Sequence, residues 1–120
     1  PIRAIPQLIY SIVYNLCDNA IKYNHCGGNV NIRVHQTLYN AVLSVKDTGI
    51  GIPEESRERI FERFYRVDKS RSKEVGGTGL GLSIVKHAVM IHNGKIEVKS
   101  ELGEGTEMIV TIPNKQDINL

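Results

Sequence analysis

The sequence predicts an α+β domain in which a mixed, mostly antiparallel sheet is covered on one face by helices. Two segments, residues 6–23 and 80–91, repeat apolar residues at the spacing of a helix. Four shorter segments have the composition and the breaks typical of strands. Because helices and strands come in groups and do not alternate strictly, this arrangement is favoured over a doubly wound parallel sheet.

The composition fits one soluble domain. The chain has 120 residues, 41% hydrophobic and 23% charged, which is enough for a buried core and ordinary for a globular protein. No apolar run reaches the length of a membrane span, and no leader opens the chain. A net charge of +2 without a clustered basic face argues against a nucleic-acid partner. Cys17 and Cys26 form neither a disulfide framework nor a zinc motif, which indicates a reducing, cytoplasmic setting.

Two asparagines one helical turn apart mark the first helix, which begins near Pro6 and runs to about Tyr23. The spacing places Asn15 and Asn19 on one face of an otherwise apolar segment. A carboxamide that leaves water needs hydrogen-bond partners, supplied either by the fold itself or by a bound polar ligand. Carboxamide oxygens suit Mg²⁺ shared with nucleotide phosphates, and the glycine motifs further along favour that second interpretation.

The other elements follow from periodicity and from glycine and proline breaks. Val30, Ile32 and Val34 alternate with polar residues and predict a half-buried strand. The remaining predictions, in order, are a strand over 41–45, a short acidic helical turn from Pro53, a helix over 80–91 ended by Asn93 and Gly94, and strands over 95–100 and 106–112. We expect residues 67–78 to form a mobile lid, because they are charged and poor in large apolar residues, and residues 114–120 to form a tail.

Three segments that contain glycine lie at predicted strand ends or helix starts: residues 47–51, 76–81 and 103–106. Each alone is weak evidence, because glycine is the default residue of ordinary turns, and for the third segment the turn and the functional interpretation stand equal. The second segment leads directly into a helix, whose free N–H groups attract phosphate. No Lys-Ser/Thr pair follows at the spacing of a Walker loop, so a lid that faces phosphate is favoured.

The order of these segments resembles the catalytic ATP-binding domain of bacterial sensor histidine kinases, in the superfamily of gyrase, heat-shock chaperone and mismatch-repair ATPases. The matching residues are Asn15 and Asn19 for the N box, Asp47, Gly49 and Gly51 for the first glycine box, 61–66 for the F box, 77–82 for the second glycine box and 103–106 for the third. The stretches 64–68 and 77–86 look like those of phosphate- and cell-wall-responsive sensors of Gram-positive bacteria. The resemblance covers nearly the whole chain. It implies the Bergerat fold, a two-layer sandwich, in one domain over residues 1–120 with an ATP lid at 67–78.

The resemblance also implies individual roles. Asn19 would hold Mg²⁺ through its carboxamide oxygen, Asn15 would assist at the same ion or at the phosphates, and Lys22 would reach a phosphate. Tyr23 would lie against adenine. Asp47 would accept a hydrogen bond from the adenine amino group and so select ATP over GTP. The other implied ATP contacts are Gly49, Gly51, Ile52, Arg66, Gly77, Thr78, Gly79, Leu80, Gly81, Leu82 and Thr106.

Several of these implied contacts have a more specific role. Arg66 would pair with the terminal phosphates through its forked donors and act in catalysis with the two asparagines. Gly51 would let the backbone approach the base, and the N–H groups of residues 79–82 would cradle the phosphate chain. The role of Arg63 stays open, because it lies in a run of mixed charge typical of a solvated face. A structural or surface role is expected for the four histidines, His25, His35, His87 and His92, which lack partners at metal-ligand spacing.

Asn15 distinguishes between reaction classes in this superfamily. In the ATP-hydrolysing relatives the corresponding residue is a glutamate that acts as general base, whereas a carboxamide takes no proton at neutral pH. This favours phosphoryl transfer to a histidine, which is partly neutral near its pKa of about 6.5, over activation of water. The alternatives are an ATP-hydrolysing module and a degenerate nucleotide-binding module without catalysis.

The resemblance implies partners outside this chain. The acceptor histidine would lie in a dimerisation domain of the same protein, and a response regulator would act in the full system. We expect the chain to be a fragment that lacks its first strands and that domain, and therefore to bind Mg·ATP without phosphorylating itself. The parent protein would be membrane-anchored, with this domain in the cytoplasm.

Overall fold

The computed structural model describes residues 4–62, 65 and 81–114. The elements are helices α1 (Pro6–Lys22) and α2 (Gly81–Ile91) and strands β1 (Val30–Gln36), β2 (Asn40–Asp47), β3 (Lys95–Glu101) and β4 (Gly105–Pro113). These helices and strands lie where the sequence patterns predict them, with ends shifted by two residues at most. The helical turn expected after Pro53 consists of two 3₁₀ turns, Glu54–Ser56 and Arg59–Phe61. The predicted lid at 67–78 lies outside the described residues.

The four strands form one sheet in the order β1-β2-β4-β3, with every pairing among them antiparallel. One row of paired residues crosses the whole sheet, with Ile32 opposite Val45, Val45 opposite Met108 and Met108 opposite Val98. Paired residues point to the same side of a sheet, so this row belongs to one apolar face. That face lies toward the helices, which confirms the predicted α+β architecture.

Both helices pack on the same face of the sheet. Helix α1 contacts β2 and α2, and α2 also contacts β3. The buried core between these layers consists of Ile12, Leu16, Ala20, Val45, Ile52, Ile60, Val85, Ala88, Val89, Met108, Val110 and Ile112. Neither described helix is both long and apolar enough to cross a membrane.

Strand β1 differs from the expected half-buried strand. Ile32 is 50% exposed and Val34 is 77% exposed, although both point to the apolar face. The reason is position, because β1 is the edge strand of the described sheet and α1 lies mainly over β2. Alternation along the chain identifies a strand, but burial depends on what covers it.

Two buried polar residues tie separate elements together. His92, which is fully buried after α2, accepts a hydrogen bond from the Ile5 N–H at Nε2 (3.0 Å), and its Nδ1 donates to the Ala88 carbonyl (2.8 Å). Asn114 donates to the Thr37 carbonyl (2.7 Å) in the β1–β2 turn and is only 8% exposed. Asn114, assigned to the tail from sequence, therefore belongs to the folded domain, and residues 115–120 lie outside the described part.

Candidate functional site

The two asparagines of α1 lie beside its buried face. Ile12, Leu16 and Ala20 are buried at successive turns and orient the helix against the sheet. Asn15 and Asn19 are half-buried next to this row, and Asn15 points toward the start of α2. The predicted common face of the two carboxamides thus adjoins the contact between the helices.

The carboxamide of Asn15 is held by its own helix. Its Nδ2 donates to the Ser11 carbonyl, one turn earlier, at 2.8 Å. This bond turns the Oδ1 atom toward Gly81, where it lies 3.0 Å from the point at which a Cβ would stand. Within the described residues no hydrogen bond reaches this oxygen, so among them it is an open acceptor or metal ligand where α1 meets α2.

The side chains of Asn19 and Lys22 differ in whether they have a hydrogen-bond or ion-pair partner among the described residues. The carboxamide of Asn19 forms no hydrogen bond with the described residues, so none of them occupies its oxygen or its amide group. The ammonium group of Lys22 forms an ion pair with Asp18 at 3.0 Å, with both side chains about one third exposed. Such a surface pair contributes at most about 1 kcal/mol, which leaves Lys22 able to exchange Asp18 for a phosphate.

Asp47 is a buried carboxylate at the end of β2, only 8% exposed. Its Oδ1 atom accepts hydrogen bonds from the Gly49 N–H (2.9 Å) and the Thr106 N–H (3.2 Å). Burial raises the pKa of this carboxyl, while the two backbone N–H groups act in the opposite direction. No described residue bonds Oδ2, so one oriented acceptor remains for a ligand.

Glycines let three segments meet around Asp47. A Cβ on Gly49 would stand 2.3 Å from the Tyr23 carbonyl oxygen, at the end of α1. Gly51 has a φ of +76°, and a Cβ there would stand 2.2 Å from the Glu101 carbonyl oxygen of β3. These glycines therefore have a packing role in the structure: they allow helix end, loop and β3–β4 hairpin to approach closely. The role at the base that the resemblance implies for Gly51 stays a prediction.

Ser100 is a residue of this site that the sequence analysis missed. Its hydroxyl accepts from the Ile52 N–H (2.7 Å) and lies 2.8 Å from Oγ1 of Thr106. The guanidinium of Arg57 donates to the Ser100 carbonyl, adding a second link between the loop and the hairpin. The sequence contained a signal for this role. Ser100 continues the inward row of Ile96 and Val98 on β3, where a polar side chain needs a hydrogen-bond partner.

Two aromatic residues of the F box are anchored to the domain. Phe61 and Tyr65 pack against the core cluster. The Tyr65 hydroxyl lies 2.7 Å from Oγ of Ser56, and the Arg59 guanidinium carbon lies 4.4 Å from the Tyr65 ring centroid. Phe61 and Tyr65 are therefore each held to the folded domain by their own contacts.

The structure brings predicted site residues together in two groups, Asn15 against Gly81 where the helices meet, and Tyr23, Gly49 and Thr106 next to Asp47. Asn15, Asn19, Lys22 and Tyr23 come from α1 and its end, Asp47, Gly49, Gly51 and Ile52 from the loop after β2, Thr106 from β4, and Gly81 and Leu82 from the start of α2. Ile52 and Leu82 belong to the core or pack against it. Arg66, Gly77, Thr78, Gly79 and Leu80, as well as Arg63 and Phe64, lie outside the described residues.

The side chains of the described structure determine how a metal ion could bind there. Within residues 4–62, 65 and 81–114, no three His, Cys, Asp or Glu side chains form a group that could hold a metal ion. The carboxamides of Asn15 and Asn19 are hard oxygen donors on α1, and a cation held by them would need the rest of its ligands from water or from a bound phosphate. Mg²⁺ suits this arrangement, since it usually keeps several waters and is shared with substrate phosphates.

Comparison with known proteins identifies the family to which the sequence is similar. Residues 4–116 match the family described as histidine kinase-, DNA gyrase B- and HSP90-like ATPases. The chain is 46% identical over 110 residues to the sensor-like histidine kinase SenX3 of Mycolicibacterium smegmatis, covering 92% of this chain and 29% of that protein. It is 45% identical over 111 residues to the sensor histidine kinase WalK of Bacillus subtilis, covering 91% and 18%. The chain thus spans less than a third of the length of these relatives.

Solved structures show the same fold. The mycobacterial sensor histidine kinase MprB superposes with a TM-score of 0.84 at 34% identity, over 97% of this chain and 78% of that one. The catalytic domain of the histidine kinase ThkA gives 0.81 at 32%, over 96% and 73%. Full-length ShkA, in complex with AMPPNP, gives 0.75 at 30%, over 94% and 23%.

Proposed function

Because the chain belongs to the family of histidine kinase-, DNA gyrase B- and HSP90-like ATPases, we propose that it binds Mg·ATP and donates the γ-phosphoryl group to a histidine of a separate domain. It corresponds to the catalytic ATP-binding domain of sensor histidine kinases. The observation that carries the proposal is an oriented, buried carboxylate, Asp47, together with the carboxamide of Asn19 on the adjoining helix, which forms no hydrogen bond within the described residues.

Asp47 supplies base recognition. Two backbone N–H groups hold Oδ1, which leaves Oδ2 to accept a hydrogen bond from the 6-amino group of adenine. Guanine carries a carbonyl at that position, so it would place an acceptor against an acceptor. A carboxylate fixed in this way therefore favours ATP over GTP.

Asn19 is the proposed Mg²⁺ ligand, with Asn15 beside it. The carboxamide of Asn19 has no partner among the described residues, and the Oδ1 of Asn15 is turned away from its own helix. These neutral hard oxygens fit an ion whose other ligands are waters and phosphate oxygens. When bound, Mg²⁺ neutralises charge that develops on the phosphates. Lys22 is proposed to contact a phosphate, exchanging its ion pair with Asp18 for it.

The chemistry of Asn15 favours a kinase. Its Nδ2 donates to the Ser11 carbonyl, and a carboxamide accepts no proton, so this position cannot activate water. An imidazole with a pKa of about 6.5 is largely neutral at pH 7 and needs no strong base. Its nitrogen would bond to the γ-phosphorus as the bond to the β–γ bridging oxygen breaks, and ADP would leave. Positioning then supplies most of the rate enhancement.

The remaining predicted contacts belong to the same proposal. Arg66 would pair with the terminal phosphates, and the backbone around residues 77–82 would cradle the phosphate chain. Tyr23 would lie against adenine, and Thr106 would complete the base pocket through its link to Asp47. ShkA, a structural neighbour at 30% identity, holds AMPPNP in its structure, which supports an ATP site in this chain.

The partners proposed are those of a two-component system. The acceptor histidine would lie in a dimerisation domain of the same protein, and a response regulator would receive the phosphoryl group. We place the domain in the cytoplasm, where ATP is available, as part of a membrane-anchored sensor. This proposal rests on the named relatives, which are sensor histidine kinases several times longer than this chain.

Calorimetric titration with Mg·ATP tests the proposal. Wild type should bind, Asn19→Ala should lose the Mg²⁺-dependent part of the affinity, and Asp47→Asn should reduce the ratio of ATP to GTP affinity. Asn31→Ala, at an exposed asparagine on β1, is the matched control and should bind as wild type does. Addition of a matching dimerisation domain should yield acid-labile phosphohistidine. No binding of adenine nucleotides, or steady phosphate release without an acceptor, would contradict the kinase function.

A further inference from the structure

A group of polar residues with no role in the chemistry above lies between the two halves of the candidate site. Thr48 directly follows Asp47, and Asn24 lies just beyond the end of α1, the helix that carries Asn19. Both side chains are half-buried. In the described structure, neither forms a hydrogen bond with a side chain that is proposed to contact the ligand. Their hydrogen bonds connect the two halves instead.

Thr48 and Asn29 exchange two hydrogen bonds. The Thr48 N–H donates to the Asn29 carbonyl (3.1 Å), and the Asn29 N–H donates to Oγ1 of Thr48 (2.8 Å). The Thr48 hydroxyl can donate its one hydrogen to Oδ1 of Asn24 (3.3 Å) or to the Asn29 carbonyl (3.4 Å). Asn24 Nδ2 also donates to the Asn29 carbonyl (2.9 Å), which closes a ring of three residues. We call Thr48, Asn24 and Asn29 the clip.

The clip has little room to rearrange. A Cβ on Gly28 would stand 2.2 Å from Oδ1 of Asn24 and 2.9 Å from Oγ1 of Thr48, so the backbone lies directly against both side chains. Beyond Thr48, the Ile50 N–H donates to the Tyr23 carbonyl (3.1 Å). The segment after Asp47 is therefore attached to the region after α1 at two points, one on each side of Gly49.

We propose that Thr48, supported by Asn24, is a positioning residue that sets the distance between Asp47 and Asn19. This inference rests on the proposed function, in which the adenine meets Asp47 and the metal-bound phosphates meet Asn19. ATP spans both residues, so its affinity depends on their separation, whereas adenosine reaches Asp47 alone. A looser clip should therefore weaken ATP binding more than adenosine binding.

Thr48→Val tests this, because valine has nearly the shape of threonine and lacks its hydroxyl. We expect the Kd for Mg·ATP, measured by calorimetry, to rise about tenfold, and the Kd for adenosine, measured by NMR titration, to change less than about twofold. Thr48→Ser, which keeps the hydroxyl, should restore most of the ATP affinity. A thermal melt of each variant must show that it is folded at the titration temperature, so that unfolded protein does not alter the ratio of the Kd values for Mg·ATP and adenosine.

Thr37→Val is the matched control. Oγ1 of Thr37 accepts from the Asn40 N–H (2.9 Å) in the turn at the other end of β1 and β2, so its loss should leave both affinities unchanged. If Thr48→Val does not fold, Asn24→Ala opens the clip at one corner and should show the same selective loss. A Thr48 or Asn24 variant that keeps the wild-type ratio of the two affinities would refute the positioning role. Failure of wild type to bind Mg·ATP would instead refute the proposed function.

Discussion

Oδ1 of Asn15 lies 3.0 Å from the point at which a Cβ on Gly81 would stand, so α1 and the first residue of α2 meet across a glycine. The contact joins the proposed metal-binding face of α1 to the end of the stretch that contains the predicted lid. A side chain at Gly81 would press on a carboxamide that is already bonded to the Ser11 carbonyl. Asn15 and Gly81 should therefore behave as a coupled pair.

Gly81→Ala is expected to weaken Mg·ATP binding by displacing Asn15. In an Asn15→Ala background the same substitution should be harmless or slightly stabilising, because alanine is favoured over glycine in helices by about 1 kcal/mol. A double-mutant cycle, followed by calorimetry and thermal melts, should give a coupling energy of at least about 0.5 kcal/mol. Strictly additive effects would mean that the contact carries no coupling.

Gly51→Ala should destabilise the domain by about 2 kcal/mol more than Gly103→Ala. Both glycines have positive φ, +76° and +81°, so the backbone strain of an alanine is common to the two variants. A Cβ on Gly51 would stand 2.2 Å from the Glu101 carbonyl oxygen, whereas nothing lies within 4 Å of one on Gly103. Urea unfolding compares the two, and equal losses would remove the packing role of Gly51.

The pH dependence of stability should change in Asp47→Asn. Burial raises the pKa of Asp47, so the folded, nucleotide-free domain holds this proton more tightly than the unfolded chain does. Its contribution to stability is complete below the ordinary carboxyl pKa of about 4 and is lost as the pH rises through the raised pKa. The amide oxygen of asparagine can accept the same two N–H bonds and does not ionise.

The free energy of unfolding of Asp47→Asn should therefore fall less than that of wild type as the pH rises from about 4. Urea titrations without nucleotide, at a series of pH values, measure this difference. Superimposable pH profiles for the two proteins would show that ionisation of Asp47 is not linked to folding.

His92→Leu should cost about 2–4 kcal/mol of stability, because it leaves the Ile5 N–H and the Ala88 carbonyl without their buried partner. His87→Leu, at an exposed position of α2, is the control and should change stability by less than about 0.5 kcal/mol. Chemical denaturation of both variants checks the difference. A small loss at His92 would mean that the start of α1 finds another partner.

Val34→Thr and Val45→Thr should separate strand propensity from burial. Val34 is 77% exposed on the edge strand and Val45 is 2% exposed in the centre of the sheet, and both point to the same face. The first variant should lie within about 0.5 kcal/mol of wild type, and the second should lose about 1–3 kcal/mol, because a hydroxyl is buried without a partner. Similar losses at the two positions would mean that β1 is covered in solution.

The sequence predicted the elements because their signals are local. Apolar residues at helical spacing identified α1 and α2, and glycine and proline breaks located the ends of the strands to within two residues. Candidate site residues on α1 and in the loop after β2 could also be proposed from the sequence, since Asn15, Asn19 and Asp47 are polar groups in segments that otherwise favour burial. The glycine boxes and these residues follow one another in the order found in the family, which completed the prediction.

The features that the sequence did not predict all depend on contacts between residues that are far apart in the chain. Ile32 and Val34 alternate like buried residues, yet they are 50% and 77% exposed because α1 lies mainly over β2. Ser100 lies at the end of a strand in the sequence pattern, and only the folded chain brings the Ile52 N–H onto its hydroxyl. Asn114 looked like a tail residue, and its role is visible only through its bond to the Thr37 carbonyl.

The order of residues alone determined the family and the helices and strands, and it suggested which side chains to propose as nucleotide contacts, because periodicity and motif spacing are properties of the chain itself. Only the tertiary structure decided how far Asp47 lies from α1, which glycines separate backbone from backbone, and which strand stays uncovered. Those features arise where segments far apart in sequence pack together, and close packing, unlike periodicity, has no local pattern from which it can be read.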